Sequence, residues 1–524
     1  MLRHAPSVPR DAARSRDHGP MESTGTRGAP GGRRTPQRTW PARRLTGPAW
    51  LDGPMTSAHL VSGAAGLLLA IGLVMVFSAS AIEAALNDQP AWRPGVDQVV
   101  FACIGMVALL VALRLPAGLV RRWAPIALIG SAVLLVAVLI PGIGMQLNGS
   151  RAWIDLGFTN FQPSELAKLV FALWGAHILA VRERFLTVQT LLVPLLPVFG
   201  VLAFLLYLEP DFGGIVSLGL VLLGLLWGAG LPRRFFGWFL LVGAAGLALM
   251  IKVAPYRMER ITSFLDPFAD PSDTGFQAIR GFYALATGGL WGVGLGNSAM
   301  KWNLLPEAES DYIFAIIGEE LGFLGCMVVV TLYGVLAYAG FRIARRSTDR
   351  FVQLASVAIT VWLVGQAALN MGYVVGLLPV TGLTLPLISA GGTSLVLTLF
   401  IVGLLIRFAV SEPAAIDHQR RRERGRLARL LLPVPAAAVD PVRPRRRSRP
   451  EPAERPARRP AVPGGRTVVR VPPPGRERVR TPSRERAPSA RDRRGAPERG
   501  RGADARRQPP ARARTATPDS RRPR

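Results

Sequence analysis

Acidic residues stand at the borders of the apolar segments of this chain, where a carboxylate can take a proton from a bound hydroxyl group. Asp311 is the foremost of them, because it directly precedes the apolar run that opens Tyr312-Ile313-Phe314. The free N–H groups and the macrodipole of the helix predicted there favour an ionised carboxylate. Such a group is suited to act as a general base. The alternative is that Asp311 only caps the helix.

A second polar group lies in the segment 148–168, NGSRAWIDLGFTNFQPSELAK. Pro163 suits the first turn of a helix, and Glu165 in that turn is favoured by the helix dipole. Lys168 follows three residues later on the same helix face, where the same dipole disfavours its charge. Lys168 therefore needs a partner, and both Glu165 and an anionic ligand remain candidates.

The motif LEPDFGG, residues 208–214, places Asp211 in a tight turn between two apolar runs. Gly213 and Gly214 permit a close approach of the backbone. The simplest interpretation is that Asp211 caps the next helix. Its predicted place on the same membrane face as Asp311 also favours a role in a site.

The long polar stretch 255–311 carries basic residues, among them Arg257 and Arg260. Positive charge in this stretch suits an anionic substrate such as a lipid pyrophosphate. Glu319 and Glu320 come about two turns into the following helix. Two adjacent acids at that depth must face protein or water.

Composition divides the chain into an apolar middle and two polar ends. The 524 residues carry a formal charge of +29, although 49% of them are hydrophobic. We predict a disordered cytoplasmic tail at 1–54, a transmembrane domain at 55–412 and a disordered basic cytoplasmic tail at 413–524. The charge belongs to the tails, so nucleic-acid binding is the weaker inference.

Apolar runs of about 18–25 residues have the length that crosses a bilayer. Arginines cluster in the leader and in alternate short loops, which places both termini in the cytoplasm and the loop 255–311 outside. Residues 281–296 are apolar but short and glycine-rich, as expected of a re-entrant or interfacial piece, and 377–392 has the same character. Ten spans are predicted, at about 58–79, 97–113, 124–141, 165–181, 188–207, 213–230, 235–254, 312–340, 351–376 and 391–410.

Several common site signatures are missing from the sequence. It contains no P-loop, HExxH, GxSxG or paired CxxC motif, so nucleotide hydrolysis and zinc chemistry have no local support. Its two cysteines, Cys103 and Cys326, fall inside predicted spans, which argues against a disulfide framework.

Five phrases together resemble the SEDS family (shape, elongation, division, sporulation), and most of all its cell-division branch. They are NGSRAWIDLG, FQPSELAK, EPDFGG, LPEAESDYIFAIIGEELGFLG and GLLPVTGLTLPLISAGGTS, in this order within residues 55–412. The chain departs from the family pattern at Glu309-Ser310, where His-Thr is usual. It departs again at Arg151-Ala152-Trp153, where two basic residues commonly precede the tryptophan.

The resemblance implies an all-α polytopic membrane protein of the SEDS fold with about ten transmembrane helices. It implies an inverting peptidoglycan glycosyltransferase of the cytoplasmic membrane, acting at the division septum. Its substrate would be lipid II, polymerised into β-1,4-linked strands with release of undecaprenyl pyrophosphate. The implied partners are a class B penicillin-binding protein (an FtsI-like transpeptidase), other divisome proteins and membrane lipids, with no nucleic acid.

The resemblance also assigns roles to residues of this chain. Asp311 is the expected catalytic base, and Glu165, Lys168 and Asp211 match the family's other polar positions. No cofactor is certain, and a divalent cation is an alternative means of neutralising the pyrophosphate. The remaining candidates are Arg151, Arg257 and Arg260, which with Lys168 would contact the pyrophosphate, and Glu319 and Glu320 in support.

Two other functions compete with glycosyl transfer. A flippase that carries lipid II across the membrane would also use buried ionisable residues such as Glu165, Lys168 and Glu320. A scaffold without catalytic activity would instead activate a transpeptidase through its spans and tails. Asp311 on the outer side of the membrane favours the enzyme.

Overall fold

Long apolar helices dominate the computed structural model, which describes residues 49–86, 88–147, 150–157, 159–183, 187–239, 241, 243, 245, 264–271, 275–302 and 305–421. In chain order the helices are α1 (Thr56–Leu86), α2 (Arg93–Arg114), α3 (Ala117–Leu139), α4 (Pro163–Val181), α5 (Val188–Leu208), α6 (Phe212–Ala229), α7 (Phe276–Gly288), α8 (Ile313–Arg346), α9 (Arg350–Val374), α10 (Gly392–Val410) and α11 (Pro413–Arg421). Within the described ranges, nine of them, all except α7 and α11, are long and apolar enough to cross a membrane.

These nine helices correspond to nine of the ten predicted spans. The predicted span 235–254 lies mostly outside the described residues, of which 233–239 are helical. Arg257 and Arg260 also lie outside the described residues, as do most of the two predicted tails. Helix α8 extends beyond its predicted end at 340 to Arg346, because the hydropathy signal stops before the arginine-rich last turns.

Helix pairs distant in sequence form the core. Helix α2 packs along α10, α6 along α9 and α1 along α8. Small residues permit the closest of these contacts: a Cβ on Gly403 of α10 would lie 2.6 Å from the carbonyl oxygen of Leu109 in α2. Helices α8, α9 and α10 are largely buried, whereas α3 and α5 expose most of their surface, as expected of helices that face lipid.

A small antiparallel sheet lies between α3 and α4. Its strands are β1 (Gly144–Leu147), β2 (Ser150–Asp155) and β3 (Asn160–Phe161), in the order β1-β2-β3. The register between β1 and β2 shifts at Met145 and Gln146. The sequence analysis did not predict these strands, because segments this short and irregular carry little periodic signal.

Helix α8 is broken at Gly322, whose backbone has φ 68° and ψ −169°. The loop that follows α7 fits into this break: Val293 N–H donates to the carbonyl oxygen of Glu319 (2.9 Å), and Phe323 N–H donates to that of Gly289 (2.9 Å). These bonds satisfy backbone groups that the break would otherwise leave without partners. With 13 residues α7 is too short to cross a bilayer, in agreement with the re-entrant or interfacial character predicted for 281–296.

Candidate functional site

A cavity of about 850 Å³ opens where the small sheet meets the beginnings of α6, α8 and α10 and the end of α9. Its size and its mixture of polar and apolar walls are typical of a binding site. The polar residues that line it include Ser150 of β2, Asn160 of β3, Asp211, Gln277 of α7, Glu307, Ser310, Asp311, Tyr373 of α9, Thr381, Thr384 and Thr393 of α10.

Asp311 is half-buried on the wall of this cavity. The N-cap position of α8 belongs to Tyr312, so Asp311 lies one residue before the cap, and the alternative that Asp311 only caps the helix is wrong. The carboxylate adjoins Gly382, since a Cβ built there would lie 3.6 Å from Asp311 Oδ2. Gly382 has φ 69°, a conformation that favours glycine, and this glycine leaves space beside the acid.

Hydrogen bonds from α9 hold the backbone of Asp311. Asn370 Nδ2 and the Tyr373 hydroxyl each donate to the Asp311 carbonyl oxygen, both at 2.9 Å. Ser389 Oγ donates to the neighbouring carbonyl oxygen of Ser310 at 2.6 Å. Because the main chain carries these bonds, the acid's position does not depend on its own side chain. The sequence analysis missed these residues, although Asn370 and Tyr373 are polar groups three residues apart in an apolar helix, which is an available signal.

The irregular segment between α9 and α10 adjoins both Asp311 and the start of α6, which follows Asp211. Its backbone is non-helical, and Leu383, Leu385 and Leu387 are buried whereas Leu377 and Leu378 are exposed, so the irregular buried backbone predicted within 377–392 is found in its second half. A Cβ on Gly213, just after Asp211, would lie 3.0 Å from the Thr381 carbonyl oxygen. Asp311 and the start of α6, next to Asp211, therefore both adjoin the short stretch 381–383.

Asp211 both caps a helix and lines the cavity. Its Oδ1 accepts a hydrogen bond of 2.7 Å from Gly214 N–H at the start of α6. A Cβ on Gly214 would lie 2.3 Å from Asp211 Oδ2, so any larger residue at this position would clash with the carboxylate. The structural and the functional interpretations of this residue are therefore compatible.

Glu209 lies beside Asp211 and is fully buried. Neither of its carboxyl oxygens has a hydrogen-bond partner among the described residues. Burial, and next the negative charge of Asp211, raises the pKa of Glu209 to about 9. The carboxyl group is therefore protonated and neutral at pH 7. The sequence analysis did not single out Glu209, since nothing in the motif shows which of two nearby acids points inward.

Replacing Glu209 with glutamine should make the stability of the protein less dependent on pH. In the native protein the pKa of Glu209 rises from 4.5 to about 9, so folding takes up a proton and loses stability as the pH rises through this window. Glutamine does not titrate, so the stability of Glu209→Gln relative to the wild type should increase from pH 5.5 to 8.5, by at most about 4 kcal/mol. Thermal unfolding in detergent at several pH values measures this. Glu183→Gln, at an exposed glutamate, is the control, and equal slopes for the two variants would contradict the prediction.

Glu165 and Lys168 form an ion pair behind the cavity wall. Lys168 Nζ lies 2.6 Å from Glu165 Oε1, and the lysine side chain is 2% exposed. The same ammonium group lies 5.6 Å from the centre of the Trp362 ring. The first predicted partner of Lys168, Glu165, is thus the one that the structure provides.

The structure does not bring the described basic candidates to the cavity wall. Lys168 is paired with Glu165, and Arg151 is not among the residues that line the cavity, although its neighbours Ser150, Ala152 and Trp153 are. Among the described residues that line the cavity there is no arginine or lysine. In the same part of the chain, no group of three or more His, Cys, Asp or Glu residues is placed to hold a metal ion.

Glu319 and Glu320 lie beneath the loop 289–302. Glu320 Oε1 is 3.1 Å from Lys301 Nζ and accepts a 2.8 Å hydrogen bond from Ser78 Oγ of α1. Glu319 accepts a 2.9 Å hydrogen bond from Ala299 N–H and another from Ser298 Oγ. Both acids therefore fix the loop to α8 and do not line the cavity.

Comparison with known proteins places the chain among cell cycle proteins. Residues 58–413 match the family FTSW_RODA_SPOVE, described as "Cell cycle protein". The "Probable peptidoglycan glycosyltransferase FtsW" of Mycobacterium tuberculosis is 44% identical over 457 residues, 86% of each chain. "Stage V sporulation protein E" of Bacillus subtilis is 40% identical over 344 residues, which cover 65% of this chain and 93% of that protein.

Two solved structures share the fold. A chain from the work described as "Structural coordination of polymerization and crosslinking by a peptidoglycan synthase complex" has a TM-score of 0.56 and 29% identity, covering 69% of this chain and 98% of that one. The rod shape determining protein RodA of Thermus thermophilus has a TM-score of 0.51 and 28% identity, covering 70% of this chain and 99% of that one.

Proposed function

Because the chain belongs to the FtsW, RodA and SpoVE family of cell cycle proteins, we propose that Asp311 is the general base of a peptidoglycan glycosyl transfer. The protein is a multi-pass membrane enzyme, a peptidoglycan glycosyltransferase of the FtsW type that acts in cell division. One observation carries the assignment of the base: the backbone of Asp311 is fixed by α9 on the wall of the 850 Å³ cavity, beside the space that Gly382 leaves open.

The proposed reaction joins two lipid II molecules. The 4-hydroxyl oxygen of one sugar forms a bond to the anomeric carbon of the other, while the bond from that carbon to the pyrophosphate oxygen breaks. Asp311 accepts the hydroxyl proton as the oxygen attacks. The pyrophosphate leaves with the bonding electrons, and inversion at the anomeric carbon gives a β-1,4 link.

We propose that Arg257 and Arg260 are the principal groups that neutralise the negative charge of the leaving pyrophosphate. Phe264, which lines the cavity, follows Arg260 by four residues, so the chain between them spans at most about 14 Å. Arg151 and Lys168 are assigned a smaller part in neutralising the pyrophosphate. Lys168 is already neutralised by Glu165, and this pair positions the start of α4 behind the cavity wall. Asp211, which lines the same cavity as Asp311, is assigned to substrate binding.

Direct supply of lipid II in detergent tests the proposed function. The purified chain, together with its transpeptidase partner, should convert labelled lipid II into long glycan strands without any bilayer to cross. A flippase would form no polymer in detergent, because it only moves lipid II across a bilayer. A scaffold would also leave the lipid II unchanged. Absence of polymer under conditions that give an intact complex would therefore refute the proposal.

The proposed arrangement has Asp311 outside the cytoplasmic membrane, the domain boundaries at 55 and 412, and both tails inside. The arginines at the ends of α2 and α8 support this orientation. The similarity to a chain of a peptidoglycan synthase complex supports a class B penicillin-binding protein as the partner, at the division septum and with other divisome proteins. Labelling of a cysteine at position 311 by a reagent that does not cross the membrane tests the orientation.

Replacing Tyr373 with phenylalanine should slow polymerisation moderately. The change removes the hydroxyl group that contacts the carbonyl oxygens of Asp311 and Leu383, and it leaves the hydrogen bond from Asn370 to Asp311. A net loss of about 1 kcal/mol in positioning corresponds to roughly a fivefold lower rate. Initial rates with labelled lipid II measure it. Tyr338→Phe, at a tyrosine near the other end of α8, is the control, and equal rates for the two variants would contradict a positioning role.

A further inference from the structure

A second cavity, of about 250 Å³, lies at the opposite end of α8 from Asp311. It is bounded by the end of α6, the last turns of α8 and the start of α9, and it shares no lining residue with the first cavity. The residues that line it include Trp227, Tyr338, Phe341, Arg345, Arg350 and Val357. None of them takes part in the proposed glycosyl transfer.

Two arginines give this cavity its charge. Arg350 is held in place, because its Nη2 donates to the Gly228 carbonyl oxygen (3.2 Å) and its Nη1 donates to Gln353 Oε1 (2.9 Å). Its Nε is buried without a hydrogen-bond partner and lies 3.7 Å from the half-exposed carboxylate of Glu183. Arg345 is exposed and forms no hydrogen bond or ion pair with a described residue. The described residues that line the cavity include these two arginines and no aspartate or glutamate, so the lining carries a net positive charge.

The other wall of the cavity is apolar and aromatic. The rings of Trp227 and Phe341 meet edge to face, with centroids 5.2 Å apart, and Trp227 is 41% exposed. Tyr338 and Val357 extend this wall along α8 and α9. A cationic end joined to an exposed apolar groove, at the end of membrane-spanning helices, complements a lipid that has an anionic head and an acyl chain.

The neighbouring arginines, Arg342 and Arg346, already form polar contacts with residues near the start of α1. Arg342 donates to Ser57 Oγ at 2.6 Å, and Arg346 lies 3.4 Å from Asp52 Oδ1. Together they hold the first turn of α1 and the segment before it against the end of α8. Arg345, between them in sequence, therefore differs from its neighbours in facing the cavity with its charge available.

We propose that this cavity binds an anionic phospholipid, with the headgroup phosphate between Arg345 and Arg350 and an acyl chain along Trp227 and Phe341. The chain's own termini are poor candidates for this position, because the sequences 1–48 and 422–524 are rich in arginine and would be repelled. In the proposed orientation the lipid belongs to the cytoplasmic leaflet. The binding itself rests on the cavity alone and is independent of the glycosyltransferase assignment.

Native mass spectrometry of the full chain tests the site with phosphatidylglycerol and phosphatidylcholine as probes. The wild type should retain phosphatidylglycerol in preference, and Arg345→Gln should weaken this retention about fivefold. Arg346→Gln removes the same charge one residue away and should retain the lipid as the wild type does. Equal losses in both variants, or equal retention of the two lipids, would overturn the proposal.

Thermal unfolding supplies a second readout and separates a lipid from a free anion. A ligand that binds only the folded state raises its melting temperature, so phosphatidylglycerol should stabilise the wild type more than Arg345→Gln. Trp227→Ala should lower the stabilisation by phosphatidylglycerol. Stabilisation by inorganic phosphate equal to that by phosphatidylglycerol, unchanged in Trp227→Ala, would show a free-anion site and overturn the assignment to a lipid. Because Arg345 is exposed, its replacement leaves the fold and the polymerisation of lipid II in detergent unchanged.

Discussion

Replacing Asp311 with asparagine should lower the rate of lipid II polymerisation by at least about a hundredfold, the usual contribution of a general base. Asparagine keeps the size of the side chain but does not accept the hydroxyl proton at neutral pH. The backbone at this position is held by Asn370 and Tyr373 through the carbonyl oxygen, which the substitution leaves in place. The loss should therefore fall on the chemical step, with the fold and the lipid II affinity retained.

Initial rates with labelled lipid II, measured on the complex with the transpeptidase, test this prediction. Asp211→Asn is the comparison variant, because asparagine caps a helix as well as aspartate does and Asp211 lines the same cavity. It should lose less activity than Asp311→Asn, since we assign it to binding. The Asp311 variant should still co-purify with the partner. Glycan synthesis above a tenth of the wild-type rate in that variant would contradict the role of Asp311 as the base.

Replacing Lys301 with methionine should destabilise the protein by about 3–5 kcal/mol, the cost of leaving one partner of a buried ion pair alone. Lys301 and Glu320 have side chains that are 3% and 0% exposed, so water does not replace the lost ammonium group. Lys301 Nζ also donates to the Gly296 carbonyl oxygen at 2.6 Å, and that bond is lost as well. The loop 289–302 should then separate more easily from the break in α8.

Unfolding in detergent, followed by temperature or denaturant, measures this loss. Arg280→Met is the control, because it removes a positive charge from α7 whose partner is the ring of Phe276, a contact worth about 1 kcal/mol or less. Adding Glu320→Leu to Lys301→Met should recover much of the stability, since both charges are then gone. A Lys301 variant no less stable than the Arg280 variant would refute the ion pair as a support of the loop.

The sequence by itself predicted the membrane-spanning helices and the places of the principal acids. Nine spans follow from hydropathy, because a helix that faces lipid must be apolar over its whole length whatever its neighbours are. Asp211 and Asp311 were placed at the starts of helices for a similarly local reason. The point where an apolar run begins can be recognised from the sequence without knowing which helices pack against it. The family motifs added the expected activity.

The tertiary structure decided which side chains meet. The bond from Asn370 to Asp311 joins residues 59 positions apart, and that from Ser78 to Glu320 joins residues 242 apart. Helical periodicity gives the face of a residue relative to its own helix but not the neighbour that covers this face. For the same reason the sequence left the partner of Lys168 open and did not reveal the burial of Glu209. Hydropathy therefore fixes the helices one at a time, whereas the cavity exists only once their ends have packed together.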